Sequence, residues 1–392
     1  MKFSAVRQAV YDVCICIGLA LSLFALVFYS EDALEAARGG VTVCLEVIVP
    51  SLFPYFVLGQ LVVGLGLGEK LGNLLTPVMR PLFGVSGNCA AALALGFLGG
   101  YPVGAKTLAE LYDAGHCSKE EAEQALCFCN NSGPAFIIGM AGVGVFHSAK
   151  LGFALYAIHI LAAVLVGILL RPKRESLGSG RACAPAALRR QPFSRVFAGA
   201  VKNALAAVLN ICGFVLLFTV ILRLLTCIRF FALVTAAFSG LGLEAGILSC
   251  LFSGFMELST GILSLAEYTD SFVPSFVSAA FILGWAGISV QFQTVSVTAE
   301  RQLSCRKGVW GKLIHGCLSA LLALPAAKWL GPTYLSAAGS FPAGPIPGRG
   351  VLMIALPAAA AFTVLLLLVW ARHMCPPGRS TKKSRKTHKS LI

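Results

Sequence analysis

One carboxylate, Glu257, stands in the apolar run Leu251-Phe252-Ser253-Gly254-Phe255-Met256-Glu257-Leu258-Ser259-Thr260, with no basic residue near it in sequence. An ionisable side chain is costly in lipid, so it is expected to face a protein-lined pathway and carry a coupling ion or a proton. Lys106 lies four residues before Glu110 on one helical face. Such a pair neutralises itself or is split by a bound carboxylate, with Glu110 a second candidate for ion or proton coupling. The rival reading is a lysine snorkelling to the surface near Asp113 and Lys119. The remaining candidates are neutral. Asn130, Asn131, Ser132 and Gly133 precede Pro134, Ser259 and Thr260 follow Glu257, and Ser289, Gln291, Gln293 and Thr294 interrupt a later apolar stretch. These groups bind a solute or tie helices together. Pro134 lacks an N–H and obstructs helical bonding to the carbonyl of Asn130, which is left free.

This is chemistry that binds without reacting. The chain holds no HExxH, no G-x-S-x-G elbow and no G-x-x-x-x-G-K-[ST] loop, so neither an enzyme nor an ATP-driven pump is expected. Any concentrating transport must then draw on an ion gradient, with Na+ or H+ as partner, or on downstream consumption of the solute. The 14 Cys lie mostly in apolar runs without zinc spacing and read as packing residues, so no metal and no cofactor is expected. His116, His147, His159 and His315 are scattered and read as interface or packing residues.

The elements that must position these groups are membrane helices. Of 392 residues, 57% are hydrophobic and only 12% charged, half the charge of a soluble domain. Apolar runs near 10–29, 41–66, 122–146, 150–170, 196–222, 274–298, 309–330 and 351–371 are each long enough to span a bilayer, predicting about eight transmembrane helices in an all-α polytopic protein. Lys2 and Arg7 precede an apolar run longer than a signal peptide's, which reads as a retained first helix. The net charge of +14 is concentrated in a linker from Arg171 to Arg195 and a tail beyond Arg372. Outside them the chain is nearly neutral, which excludes a nucleic-acid footprint. The positive-inside rule places the linker, the tail, the N-terminus and the loop Arg301/Arg306/Lys307/Lys312 in the cytoplasm, with Glu31, Asp32 and Glu35 outside. The basic tail also suits an anionic lipid surface.

That count closes only if segments 86–113 and 246–268 enter and leave on the same side. Both are broken, the first by Gly99-Gly100-Tyr101-Pro102-Val103-Gly104, the second by Ser253 to Gly261. Backbone interrupted at membrane depth needs a protein-lined cavity, so two re-entrant hairpins are predicted, with Gly100, Tyr101, Pro102 and Gly104 at the first tip among the substrate-binding candidates. Each hairpin follows a short amphipathic stretch, with Arg80 or Arg229, and precedes an interrupted span. An odd number of spans separates them, making the two halves an inverted repeat, the architecture of secondary transporters.

The motifs Gly99-Gly100-Tyr101-Pro102-Val103-Gly104-Ala105-Lys106, Ser118-Lys119-Glu120-Glu121-Ala122-Glu123, Phe128-Cys129-Asn130-Asn131-Ser132-Gly133-Pro134 and Gly254-Phe255-Met256-Glu257-Leu258-Ser259-Thr260-Gly261 closely resemble the sporulation integral membrane protein YlbJ family. The resemblance runs from about residue 10 to 371. It implies a nucleoside-recognition Gate domain, similar to the core of concentrative nucleoside transporters. The chain then divides into an N-terminal helix (1–40), a first Gate repeat (41–170), a basic cytoplasmic linker (171–195), a second Gate repeat (196–330), a last transmembrane helix (331–371) and a basic tail (372–392). The resemblance further implies a spore-forming bacterium and movement of dipicolinate across the outer forespore membrane, or residence in the cell membrane. A planar dianion suits helix N-termini, Asn and Ser donors and Lys106. The alternatives are a carrier of nucleosides or other small metabolites, and a non-transporting factor for spore envelope assembly. A homo-oligomer is among the expected partners.

Overall fold

Gly, Pro and short polar runs cut the apolar stretches into helices of unequal length, and the breaks fall where the chain must bend. The computed structural model describes residues 2–65, 67–172, 193–238, 240 and 244–337. Helix α1 (Lys2–Phe28) turns at Tyr29 into α2 (Ser30–Val43), the two lying at 92°. The acids expected in an external loop instead fill the first turns of α2, where a helix N-terminus favours negative charge. A wide π-type stretch, Cys44–Ile48, leads into α3 (Val49–Gly64), and Gly64 to Leu67 is the junction with α4 (Leu67–Phe83). Then come α5 (Ala90–Gly99), α6 (Val103–Asp113), α7 (Lys119–Cys129), a π-helix (Ala135–Val145) and α8 (Ala149–Leu169). The N-terminus of α7 is sealed by a capping box in which Ser118 and Glu121 bond reciprocally.

The second half repeats this order of parts. Helix α9 (Phe193–Cys227) is long, α10 (Phe230–Ala237) is short, and α11 (Ala245–Met256) and α12 (Leu258–Ser264) form a broken pair. They are followed by α13 (Phe272–Trp285), α14 (Gly287–Thr298) and α15 (Arg306–Ala337).

Among the described residues, four helical stretches are long and apolar enough to cross a membrane, namely α8, α9, α13 with α14, and α15; two bent pairs raise the number to six. The protein is therefore an integral membrane protein, all-helical among the described residues, which show fewer straight spans than the eight expected of the whole chain. The run 122–146 is divided at Asn130–Pro134, leaving neither half long enough alone. The last expected span, 351–371, the basic tail and most of the basic linker lie outside the described residues.

Polar contacts gather at two ends of the bundle. At one, Arg301 Nε meets Asp113 Oδ2 at 2.6 Å, the Ser304 amide donates to Glu123, the Ser86 amide to Glu121, and Gln124 Nε2 to the carbonyl of Leu170. At the other, Ser271 Oγ donates to Glu244 and the rings of Phe146 and Phe272 meet edge to face. Between them lie apolar clusters, one centred on the stacked rings of Phe83 and Phe128, another on Phe276 and Ile282. Lys312 does not belong to the loop charge with which it was grouped. It lies in the second turn of α15, is only 2% exposed, and is separated from that loop by the helix start at Arg306.

Candidate functional site

Helices α5 and α6 run back to back and are joined by Gly100-Tyr101-Pro102, with a cis peptide before Pro102. This tip is pressed onto the break after α7. A Cβ at Gly96 or Gly104 would fall 1.9 or 2.0 Å from the Cys129 carbonyl oxygen, and one at Gly133 would lie 3.0 Å from the Gly100 nitrogen. Gly104 is therefore needed for close packing. The second half is built alike. The α11–α12 tip at Glu257 meets the break between α13 and α14, where Ala286 and Gly287 adopt positive φ and a Cβ at Gly287 would reach 3.0 Å from the Leu258 nitrogen. Trp285 fastens this contact, stacking on Phe255 and donating Nε1–H to its carbonyl at 2.9 Å.

A narrow cleft lies where both tips and both breaks converge. Of the residues singled out in the sequence, Gly100, Tyr101, Ser132, Gly133, Glu257, Ser259 and Gln293 line it, joined by Phe136 and apolar side chains of Ile211 and Val215 from α9. Its free volume of about 50 Å³ takes a water or two but is too narrow for an aromatic solute.

The other candidates are engaged elsewhere. Asn130 Nδ2 donates to Thr294 Oγ1 at 2.9 Å, joining the two breaks, while Asn131 Nδ2 turns back to the Phe128 carbonyl. Gln291 donates to the Trp285 carbonyl, Ser289 receives Gln293 Nε2, and Thr260 contributes its backbone N–H to Glu257. Lys106 and Glu110 do not pair with each other. Lys106 Nζ donates to the Asn203 carbonyl on α9 at 3.1 Å, and Glu110 accepts from Gln60 of α3 at 2.6 Å, placing both between α3, α6 and α9 and not on the cleft. Glu257 lines the cleft and also caps α12, taking the amide hydrogens of Ser259 and Thr260 on its two oxygens at 3.0 and 2.7 Å. Its charge thus rests on a helix N-terminus.

Three residues dismissed in the sequence form one buried cluster behind the first break. Lys312 and His315 of α15 and His159 of α8 are at most 2% exposed. Lys312 Nζ donates to the freed carbonyl of Asn130 at 2.8 Å and lies 2.7 Å from His315 Nδ1, and the two imidazole rings stand 4.4 Å apart. His159 Nε2 in turn accepts the Ser132 amide hydrogen. The i,i+3 spacing of Lys312 and His315 on one helix face was the available signal. Among the described residues, no three His, Cys, Asp or Glu side chains gather as a metal site.

Residues 45–150 match the Gate family, described as nucleoside recognition, a stretch that contains the first tip and the first break. Over 320 residues, 76% of this chain and 78% of the relative, the sequence is 29% identical to the sporulation integral membrane protein YlbJ of Bacillus subtilis (strain 168). The chain is thus a membrane protein similar to YlbJ over most of its length, with a stretch similar to the Gate family. No solved structure matches it. Within the Gate region the cleft receives Gly100, Tyr101, Ser132 and Gly133, while Glu257, Ser259 and Gln293 come from the half that lies beyond it.

Proposed function

We propose that this protein is a secondary transporter of a small planar carboxylate, dipicolinate first among candidates, working across the outer forespore membrane. The observation that carries the reading is the convergence of two helix-hairpin tips and two broken spans on one cleft lined by Tyr101, Ser132, Glu257, Ser259 and Gln293. Broken helices at a shared centre are how secondary transporters expose binding groups without exposing backbone to lipid. On this reading α5–α6 and α11–α12 are re-entrant hairpins opening to opposite sides, the two halves are an inverted repeat, and the narrow cleft widens to admit solute during alternating access. The hydroxyls of Ser132 and Ser259 and the amide of Gln293 serve as donors to a carboxylate, and the rings of Tyr101 and Phe136 flank an aromatic solute.

A second reading, a nucleoside carrier, is favoured by Glu257, because a carboxylate in the cleft accepts hydrogen bonds from sugar hydroxyls more readily than it faces a dianion. The two are separated by reconstituting the purified full chain into vesicles and comparing uptake of labelled dipicolinate and labelled uridine. Dipicolinate uptake above that of empty vesicles is expected. Uptake of uridine alone transfers the site to nucleosides, and uptake of neither by monodisperse protein counts against transport and for the envelope-assembly role.

A further inference from the structure

The cluster behind the first break holds a buried lysine that meets no carboxylate among the described residues. Lys312 Nζ donates to the Asn130 carbonyl at 2.8 Å and to His315 Nδ1 at 2.7 Å, and it lies 4.9 Å from the centre of the Tyr101 ring. His315 Nε2 stands 3.0 Å from the carbonyl oxygen of His159. A carbonyl only accepts, so Nε2 carries the ring hydrogen and Nδ1 presents its lone pair to the lysine. None of these partners is a carboxylate.

A buried charge without an opposite charge is expensive, and the backbone offsets part of that cost here. Asn130 is the residue that ends α7, and its carbonyl is one Pro134 cannot bond, so the ammonium sits at the negative end of a half-helix. In transporters built from broken helices, freed carbonyls at such half-helix ends hold a mobile cation. The cluster also keeps unmet polar groups. His159 Nε2 accepts from the Ser132 amide, so its hydrogen is on Nδ1, which has no partner, and the side-chain oxygens of Asn130 and Asn131 have none either.

We propose that Lys312 is a tethered coupling cation: its ammonium holds the place of a mobile ion at the end of α7, and it exchanges a proton with His315 as the first break opens and closes. In the step, an N–H bond of Nζ breaks and its electron pair stays on nitrogen as the amine lone pair. The proton bonds to the lone pair of His315 Nδ1, and the positive charge moves onto the imidazolium, whose Nε2–H remains on the His159 carbonyl. An amine holds the Asn130 carbonyl less strongly than an ammonium does, so the break is released. The cleft feels the change through Tyr101, whose ring faces the lysine, and Ser132, whose amide hangs on His159; both line it. The titratable groups facing Lys312 are His315 on its own helix, Cys127 on α7, His159 on α8 and Tyr101 at the hairpin tip. The assignment rests on the transport reading and names its coupling ion as H+.

The test uses the purified full chain without solute. Thermal unfolding is followed by tryptophan fluorescence from about pH 5 to about pH 9 for the natural protein, Lys312→Arg and Lys312→Met. Exchange inside the Lys312–His315 pair conserves protons, so the test reads the pair's net proton: a buried pair that gives it up more readily than the unfolded chain makes stability rise with pH, in a step of roughly tenfold or more in the unfolding equilibrium across this range. Lys312→Arg, which keeps its charge throughout, and Lys312→Met, which never has one, are both expected to lose that step. Should the methionine variant fail to fold, Lys312→Arg and His315→Asn carry the comparison. Stability curves that run parallel to the natural protein's in every folded variant overturn the proposal. Uptake measured in parallel separates the two readings: intact uptake with parallel curves removes only the lysine's role, whereas a lysine-dependent step with no uptake of any solute removes transport and with it the coupling role, leaving a buried titrating lysine.

Discussion

Glu257 does two things with one carboxylate. It closes the N-terminus of α12 through the amides of Ser259 and Thr260, and it presents a carboxyl group to the cleft. Gln in its place keeps one acceptor oxygen but turns an NH2 towards the other amide. The loss of one charge-assisted bond and of the cap is expected to cost about 1–2 kcal/mol, seen as a melting midpoint lower by a few degrees. Uptake by Glu257→Gln should fall further than that loss of stability explains, because a Gln side chain cannot ionise. Glu110→Gln, away from the cleft, should have a milder effect. Uptake by Glu257→Gln equal to the natural protein's at every pH would leave Glu257 with its capping role alone. A carboxylate alone in an apolar run was legible in the sequence; its capping bonds were not, since they depend on where α11 stops. Lys312 was illegible for a different reason. It follows Arg301, Arg306 and Lys307 so closely that loop charge absorbs it, and its partner Asn130, like the partner His159 of its neighbour His315, is far away in the chain.

At the scale of elements, glycine placement sets how closely a tip approaches its break. Gly96 and Gly104 flank the Cys129 carbonyl, and neither leaves room for a methyl group. The carbonyl cannot retreat, because α7 is fixed at its far end by the Ser118–Glu121 capping box. Gly104→Ala should therefore push the first hairpin off the break and destabilise by about 1–3 kcal/mol, the usual cost of overpacking. Gly139, in the π-helix, has nothing within 4 Å of its Cβ position, so Gly139→Ala should leave the melting midpoint unchanged or slightly raised. Equal midpoints for the two variants would show that the tip is not held against the break. Both hairpins and both breaks were legible as Gly, Pro and polar residues in apolar surroundings. The turn at Tyr29 and the π-type stretch at Cys44–Ile48 were not, because neither carries a Gly or Pro that would mark it.

At the scale of the molecule, the two ends are distinguished by bonds that sequence could only anticipate by charge. Asp113, Glu123, Leu170 and Arg301 share one end, and Glu244, Phe146 and Ser271 share the other. Arg223, near the C-terminus of α9, bonds Asp32 at 2.7 Å and Glu35 at 3.4 Å, so the acids of α2 lie beside the end of α9 remote from the basic linker. If the linker is cytoplasmic, as its charge demands, the Asp113–Arg301 end is cytoplasmic as well, since Gln124 of α7 bonds the last turn of α8 immediately before that linker. The opposite face then carries Asp32, Glu244 and Ser271. Single cysteines at positions 113, 244 and 270 in a background without native Cys test this arrangement with a membrane-impermeant maleimide. Position 113 should react only from the cytoplasm, and positions 244 and 270 only from the other side. Labelling of all three from one face would place both hairpins on the same side, and an inverted repeat, with the alternating access it permits, could not be built from them.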